Sequence, residues 1–215
     1  MNLPEWRPYY SEIVREFGFN RTEDERSAHI LSHLLAAKTG YDSALTKLGR
    51  LVNGRDVLVC GKAPKLLQDV NGGKIEGHET IIAADGATSV LLKQGVIPHV
   101  VVSDLDGRIV DLKRANLLCA IMVIHAHGDN IAQIETHVPS LSAVLGTAQT
   151  QHEQFLLDVG GFTDGDRAVS LAKEYGANAI SAIGFDFTDL SVTPTKMQKL
   201  QWAQRLLAHV DVNFK

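Results

Sequence analysis

The sequence predicts an α/β protein: a doubly wound, mostly parallel sheet with an N-terminal helical segment and a C-terminal helix. Three observations predict it. From residue 56 onward, short runs of aliphatic and β-branched residues recur with little polar alternation, as in strands covered on both faces. Stretches with helical spacing lie between those runs. The chain has 215 residues, 45% of them hydrophobic and 21% charged, enough for a sizeable core without covalent staples.

Residues 1–54 read as helical. Ile30, Leu31, Leu34 and Leu35, then Leu45, Leu48 and Leu51, recur at helix spacing, and Gly40 interrupts the run. This segment carries little obvious chemistry and is expected to be a helical cap or a dimer surface. Residues 55–215 form the α/β part. Strands are expected at 57–60, 80–84, 100–103, 121–124, 143–145, 155–159 and 179–183. Helices are expected at 87–94, 131–137 and 165–175. A last one spans 195–210, introduced by Pro194 and striped by Met197, Leu200, Ala203, Leu207 and Val210.

Several classes are set aside. Cys60 and Cys119 each sit in an apolar run, which predicts buried free thiols in a reducing compartment. The net charge of −4 gives no basic footprint for nucleic acid. No apolar run approaches the ~18 residues of a membrane span, and the first ten residues lack the apolar stretch of a secretion signal. A cytoplasmic protein is expected.

In an open parallel sheet, ligands bind beyond the carboxyl ends of the strands. The residues after each run are therefore the ones to read. They are Gly61-Lys62-Ala63-Pro64, Asp85-Gly86-Ala87, Asp104-Leu105-Asp106-Gly107, His125 to Asn130, Gly146-Thr147, 160–166 and Gly184-Phe185-Asp186. One such Asp is often only a helix cap. Several carboxylates on one sheet edge repel one another unless cations lie between them, which points to a hard metal, with Mg²⁺ the natural choice among oxygen ligands. Asp104 and Asp106 are the sharpest pair: on an extended segment their side chains point the same way, and Gly107 lets the chain turn off. The competing reading is an Asx turn.

The other candidates are weaker alone. Gly86 frees the amides that begin the helix at Ala87, a place for phosphate. The 61–64 loop resembles a phosphate cradle without being a Walker sequence, and Lys62 is its cation. His125, His127 and Asp129 make a His-x-His-x-Asp start for zinc, but Asn130 stands where a binuclear zinc hydrolase would place another His. Gly128, Asp129 and Asn130 otherwise read as part of a grip on phosphate or a substrate ring. His137, His152 and His209 lack a matching context. Thr163 or Asp164 caps the next helix, Asp164 and Asp166 are further metal candidates, and Arg167 is a candidate for phosphate. Lys196 and Lys199 begin the last helix against its dipole, which suits a phosphate partner.

These residues carry a resemblance. Ala84-Asp85-Gly86-Ala87, Gly95-Val96-Ile97-Pro98, Ser103-Asp104-Leu105-Asp106-Gly107 and Thr163-Asp164 resemble the ordered motifs of thiamin pyrophosphokinases. The match is closer to archaeal 6-hydroxymethyl-7,8-dihydropterin diphosphokinases, through Ser-Asp-Leu-Asp-Gly, His-Ala-His-Gly-Asp-Asn, the 160–168 segment and Gly184-Phe185-Asp186. The first loop departs from the relatives' Gly-x-Gly-Pro-Ser-Leu, and His99 replaces the Asp that follows Pro in the thiamin enzymes.

The resemblance implies a catalytic domain over 55–215 that moves diphosphate from ATP to a pterin alcohol, with AMP as the other product. It implies catalytic and metal-binding roles for Asp85, Asp104, Asp106 and Asp164. It implies ATP or substrate contacts from Gly61, Lys62, Gly86, Ala87, His125, His127, and from the 128–130, 146–147, 163, 166–167, 186 and 196 positions. A homodimer is implied as well. Three other readings stand beside it: thiamin as acceptor, a nucleotide-sugar glycosyltransferase using Asp-x-Asp, and a module that binds ATP without turnover.

Overall fold

Why the central strands are so apolar is clear once both sheet faces are seen to be covered. A computed structural model of the chain describes residues 1–150 and 153–215. Among these, eight strands form one all-parallel sheet: β1 (Asp56–Cys60), β2 (Thr80–Ala84), β3 (Val100–Ser103), β4 (Ile121–Ala126), β5 (Val144–Ala148), β6 (Leu156–Leu157), β7 (Ala179–Ile183) and β8 (Asn213–Phe214). The order is β6-β5-β4-β3-β2-β1-β7-β8, so the winding reverses between β1 and β7. Parallel register aligns all the carboxyl ends on one edge, and the crevice lies at the reversal.

Alternation along each strand feeds two cores. Leu58, Cys60, Ile81, Ala83, Val101 and Met122 face one side, with α4 (Leu66–Asn71), α5 (Ala87–Lys93), α6 (Ile109–Leu117) and α7 (Ile131–His137). Val57, Val59, Ile82, Val100, Val102 and Val123 face the other, under α8 (Asp164–Glu174). Burying each such side chain is worth about 1.5–3 kcal/mol. The N-terminal 54 residues form α1 (Leu3–Phe17), α2 (Arg21–Ala36) and α3 (Tyr41–Val52). α2 sends Ala28, Leu31 and Leu35 into the first core, and α3 sends Ala44, Leu48 and Val52 into the second. α1 packs Trp6 and Tyr10 with Trp202 and Leu206 of α9 (Pro194–Leu207) and with Phe162. No helix among the described residues is long and apolar enough to cross a membrane.

Several expectations are corrected. The strand at 155–159 shrinks to β6 because Phe155 takes a left-handed φ of 63° and Val159 turns back to donate to Leu157 O. β4 and β5 run on to Ala126 and Ala148, two and three residues beyond their expected ends. The last helix stops at Leu207, after which turn hydrogen bonds carry the chain to Val210. Cys119 is exposed, not buried: it is the left-handed residue (φ 74°) that ends α6 as Ala120 N reaches back to Ala115 O. Cys60 is buried, and burial with the nearby Asp69 charge pushes its thiol up to about 12. α4, α6 and β8 carried no clear periodic signal.

Candidate active site

A cleft of about 780 Å³ opens at the carboxyl edge of the sheet. Its floor is made by the strand ends. Asp85 leaves β2 and keeps the ladder going by donating its amide to Val102 O at 2.8 Å. Asp104 and Asp106 follow β3. One carboxylate oxygen from each of these three residues lies within 4.8 Å of the others.

The pair after β3 is gathered by a turn rather than by an extended strand. Leu105 sits at φ 68°, a left-handed conformation that costs about 1–2 kcal/mol for a side-chain-bearing residue. Its side chain is buried in the first core, which holds it there. Asp106 N donates to Asp104 Oδ1 at 3.1 Å, so the Asx turn and the paired carboxylates coexist. Ser103 Oγ donates to Asp85 Oδ2 and accepts from Leu105 N at 2.8 Å, joining the two strand ends. Asp85 Oδ1 is buried and has no hydrogen-bond partner.

Charge is unbalanced here. Burial first, then the Asp106 and Asp104 charges, push the Asp85 carboxyl up to about 6, against the pull of the Ser103 hydroxyl. Burial also raises Asp106, and the Asp104 charge adds to it, while Lys62 and Lys196 oppose the rise. Asp104 is desolvated too, yet hydrogen bonds from His127 and the Asp106 amide hold it below the usual range. Asp164, the first residue of α8, lines the same cleft but stands outside the group of three. Burial and the charges of Asp104, Asp85 and Asp106 push it well above the carboxylate range. An orphaned buried oxygen beside two more carboxylates, all hard oxygen donors, fits a Mg²⁺ ion.

The histidines divide. His127 Nε2 lies 3.4 Å from Asp104 Oδ2 and steadies it. His125 lies inside β4; its Nε2 is 3.2 Å from the Arg167 guanidinium and its Nδ1 is 3.4 Å from Thr147 Oγ1. Burial, with the Arg167 charge behind it, lowers His125 well below the usual histidine range. Both ring nitrogens are thus engaged, and no zinc set of His125, His127 and Asp129 assembles among the described residues. His152 lies outside the described residues. Asn130 ties the ends together, donating to Asp104 O and His125 O at 2.7 Å each.

Other candidates reach the cleft: Gly61, Lys62, Gly86, Gly128, Thr163 and Asp186 line it, as do Asp129 and Lys196. Asp186 spends its carboxylate on the Thr188 amide and hydroxyl, at 2.9 Å each. Gly61 is pressed against the β7 loop: a Cβ there would lie 2.6 Å from Gly184 O, a backbone atom that cannot step aside.

Five candidates do not line the cleft. Ala87 is buried in the first core. Gly146 and Thr147 lie inside β5, because that strand runs further than expected. Asp166 caps α8, accepting from Phe162 N at 2.6 Å and Thr163 N at 2.8 Å, so its oxygens face the backbone and not a metal. Arg167 is 1% exposed and donates to Val159 O, Gly161 O and Ala148 O, which makes it a strut between loops.

What the N-terminal helices bring to the cleft carries no local signal. Phe19, Asn20, Glu23 and Asp24 line the cleft, and Asp24 accepts from Gly128 N and Tyr10 Oη, each at 2.7 Å. Locally this stretch reads only as a capped helix start. Gln149 was also missed; placing the end of β5 at Ala148 would have found it as the next strand-end residue.

A parallel sheet with oxygen donors gathered beyond the ends of β2 and β3, beside its topological switch point, defines an α/β protein with a ligand cleft at the carboxyl edge of its sheet. Residues 32–191 match the family described as 6-hydroxymethylpterin diphosphokinase MptE-like. The chain is 42% identical to the 6-hydroxymethyl-7,8-dihydropterin pyrophosphokinase of Pyrococcus furiosus, over 99% of this chain and 96% of that protein. It is 35% identical to the enzyme of that name from Methanothermobacter thermautotrophicus (99% and 97%) and 34% to that from Methanocaldococcus jannaschii (98% and 96%). The chain belongs to the MptE-like family. A crystal structure of a probable thiamine pyrophosphokinase from Staphylococcus saprophyticus overlaps 74% of this chain and 63% of its own at a TM-score of 0.35 and 17% identity, too little to add to that assignment.

Proposed function

We propose that the protein transfers the terminal diphosphate of ATP to 6-hydroxymethyl-7,8-dihydropterin, giving AMP and the pterin diphosphate. The observation that carries this reading is the oxygen cluster of Asp85, Asp104 and Asp106 in the cleft of a chain whose relatives are named for that activity. The hydroxymethyl oxygen attacks the β-phosphorus. The bond from that phosphorus to the oxygen bridging the α-phosphorus breaks, and AMP leaves with the electron pair. The hydroxyl proton passes to a carboxylate of the cleft.

Asp85, Asp104 and Asp106 would hold Mg²⁺, which when bound neutralises phosphate charge. His127 orients Asp104, and Ser103 orients Asp85. Lys62 and Lys196 bring positive charge toward Asp106 and so toward the phosphates. What remains for catalysis is positioning and charge stabilisation. Acting on ATP and a free pterin suits a cytoplasmic setting.

The test is to incubate the protein with ATP, Mg²⁺ and either the pterin alcohol or thiamin, and to count AMP against ADP. AMP formed with the pterin alone is expected. AMP with thiamin alone would change the acceptor, and no AMP with either would refute the assignment.

A further inference from the structure

The cleft runs across the strand ends from β7 to β5, and the carboxylates lie between those limits in strand order. In strand order, β7 and β1 stand on one side of the carboxylate-bearing β2 and β3, and β4 and β5 stand on the other. Strands are spaced about 4.8 Å apart, so five spacings separate the ends of β7 and β5 by roughly 24 Å. Beyond β7, Phe185, Phe187 and Phe214 cluster with ring centroids 5.6–6.0 Å apart, and the first two line the cleft. A second cluster joins Phe17, Phe19 and Phe162 at 5.1–6.1 Å, and Phe19 and Phe162 line the cleft. Lys199 covers one face of Phe162 at 5.7 Å.

The proposed reaction, on which this inference rests, joins two partners that each carry a flat heteroaromatic ring, with the transferred phosphates between. The two ends differ in chemistry. At β1 and β7 the backbones of Gly61 and Gly184 are in contact, Lys62 lies across Gly86, and Lys62 and Lys196 face Asp106. Glycine loops with cations at a switch point suit the phosphate chain of a nucleotide.

The far end holds Gln149, 5% exposed and lining the cleft after β5. Its backbone carbonyl is fixed by Trp6 Nε1 at 2.9 Å. Its side-chain Oε1 is buried without a hydrogen-bond partner, a state that costs stability unless a ligand supplies the donor. A pterin ring carries amino and ring N–H donors along its pyrimidinone edge.

We infer that the cleft is divided: adenosine lies against Phe185 and Phe187 at the β1–β7 end, and the pterin lies at the β4–β5 end, where a ring N–H donates to Gln149 Oε1. Gln149 is thus a specificity-determining residue for the acceptor.

The test compares Gln149→Met with Phe187→Ala in the full chain, measuring KM for each substrate. Gln149→Met is expected to raise the pterin KM by about tenfold or more and leave the ATP KM within about twofold. Phe187→Ala is expected to do the reverse. A Gln149→Met that raises the ATP KM, or both alike, overturns the division. If the native protein makes no AMP from the pterin, the proposed function fails by itself. The division is then read from binding: a non-hydrolysable ATP analogue by calorimetry and the pterin by its own fluorescence. Retained nucleotide affinity in Gln149→Met also certifies its fold. Nucleotide binding weakened by Gln149→Met and spared by Phe187→Ala overturns the division there too.

Discussion

The Gly107 amide donates to Asp85 Oδ2 at 3.3 Å, across the gap between the ends of β3 and β2. A Cβ at position 107 would stand 1.5 Å from Asp85 Oδ1, so the two residues fit only because one has no side chain. The turn after Asp106 thus fixes where the Asp85 carboxylate points.

Gly107→Ala is therefore expected to displace that carboxylate. A shift of about 1 Å at a reacting centre costs on the order of 100-fold in rate. Steady-state kcat/KM beside the melting temperature checks this; near-native activity would show that Asp85 tolerates the displacement.

Asp85→Asn separates stability from function. The folded-state pKa of about 6 lies above the ordinary 3.8, so the ionised carboxylate opposes folding. The folded chain binds more protons than the unfolded one between those values, and the stability tied to this group falls as pH rises through them. The gap corresponds to roughly 3 kcal/mol at most. In EDTA, Asp85→Asn should melt above the native protein at pH 7, and the two should converge near pH 4 while activity is lost. A variant that melts below the native protein at pH 7 contradicts the charge imbalance.

Magnesium should relieve the same repulsion. At about 100 times its dissociation constant a ligand stabilises the fold by roughly 2.7 kcal/mol. Thermal unfolding with and without Mg²⁺ should show an upward shift that Asp106→Asn abolishes together with AMP formation. An equal shift in the variant would place the ion elsewhere.

Asp24 links α1, α2 and the loop after β4 through Tyr10 Oη and Gly128 N. Asp24→Ala leaves both donors without their acceptor and should cost about 1–3 kcal/mol by denaturant unfolding. The freed 128–130 loop should raise the acceptor KM. An unchanged KM would confine Asp24 to a stabilising role.

Arg167→Met should destabilise the fold by about 3–5 kcal/mol, as expected when one partner is removed from a buried charged network. Where the variant remains folded, its ATP KM should be near native, since the guanidinium serves the carbonyls of Ala148, Val159 and Gly161. A KM for ATP raised about tenfold would restore the phosphate role.

The sheet was legible because parallel strands such as Val57 to Cys60 are apolar on both faces, a pattern that is local in the chain. The carboxylates were legible because Asp85, Asp104 and Asp106 each follow such a strand. The orientation of Asp166 and Arg167 was not legible, because sequence shows which side chains carry charge but not which way they point. Thr163 with Asp166 is a capping box, and that geometry turns Asp166 to the backbone.

By itself, then, the sequence determined the parallel α/β class, the strand-end carboxylates and the family they belong to, because those depend on residue type and spacing. Tertiary structure decided the rest. It bent the chain at Leu105 to bring Asp104 and Asp106 beside Asp85, and it extended β5 so that Gln149 rather than Thr147 reaches the cleft. It also folded α2 over the sheet so that Asp24 holds the loop at Gly128. Each of these rests on contacts between residues far apart in the chain, whose energies come from burial and hydrogen bonding that no local pattern encodes.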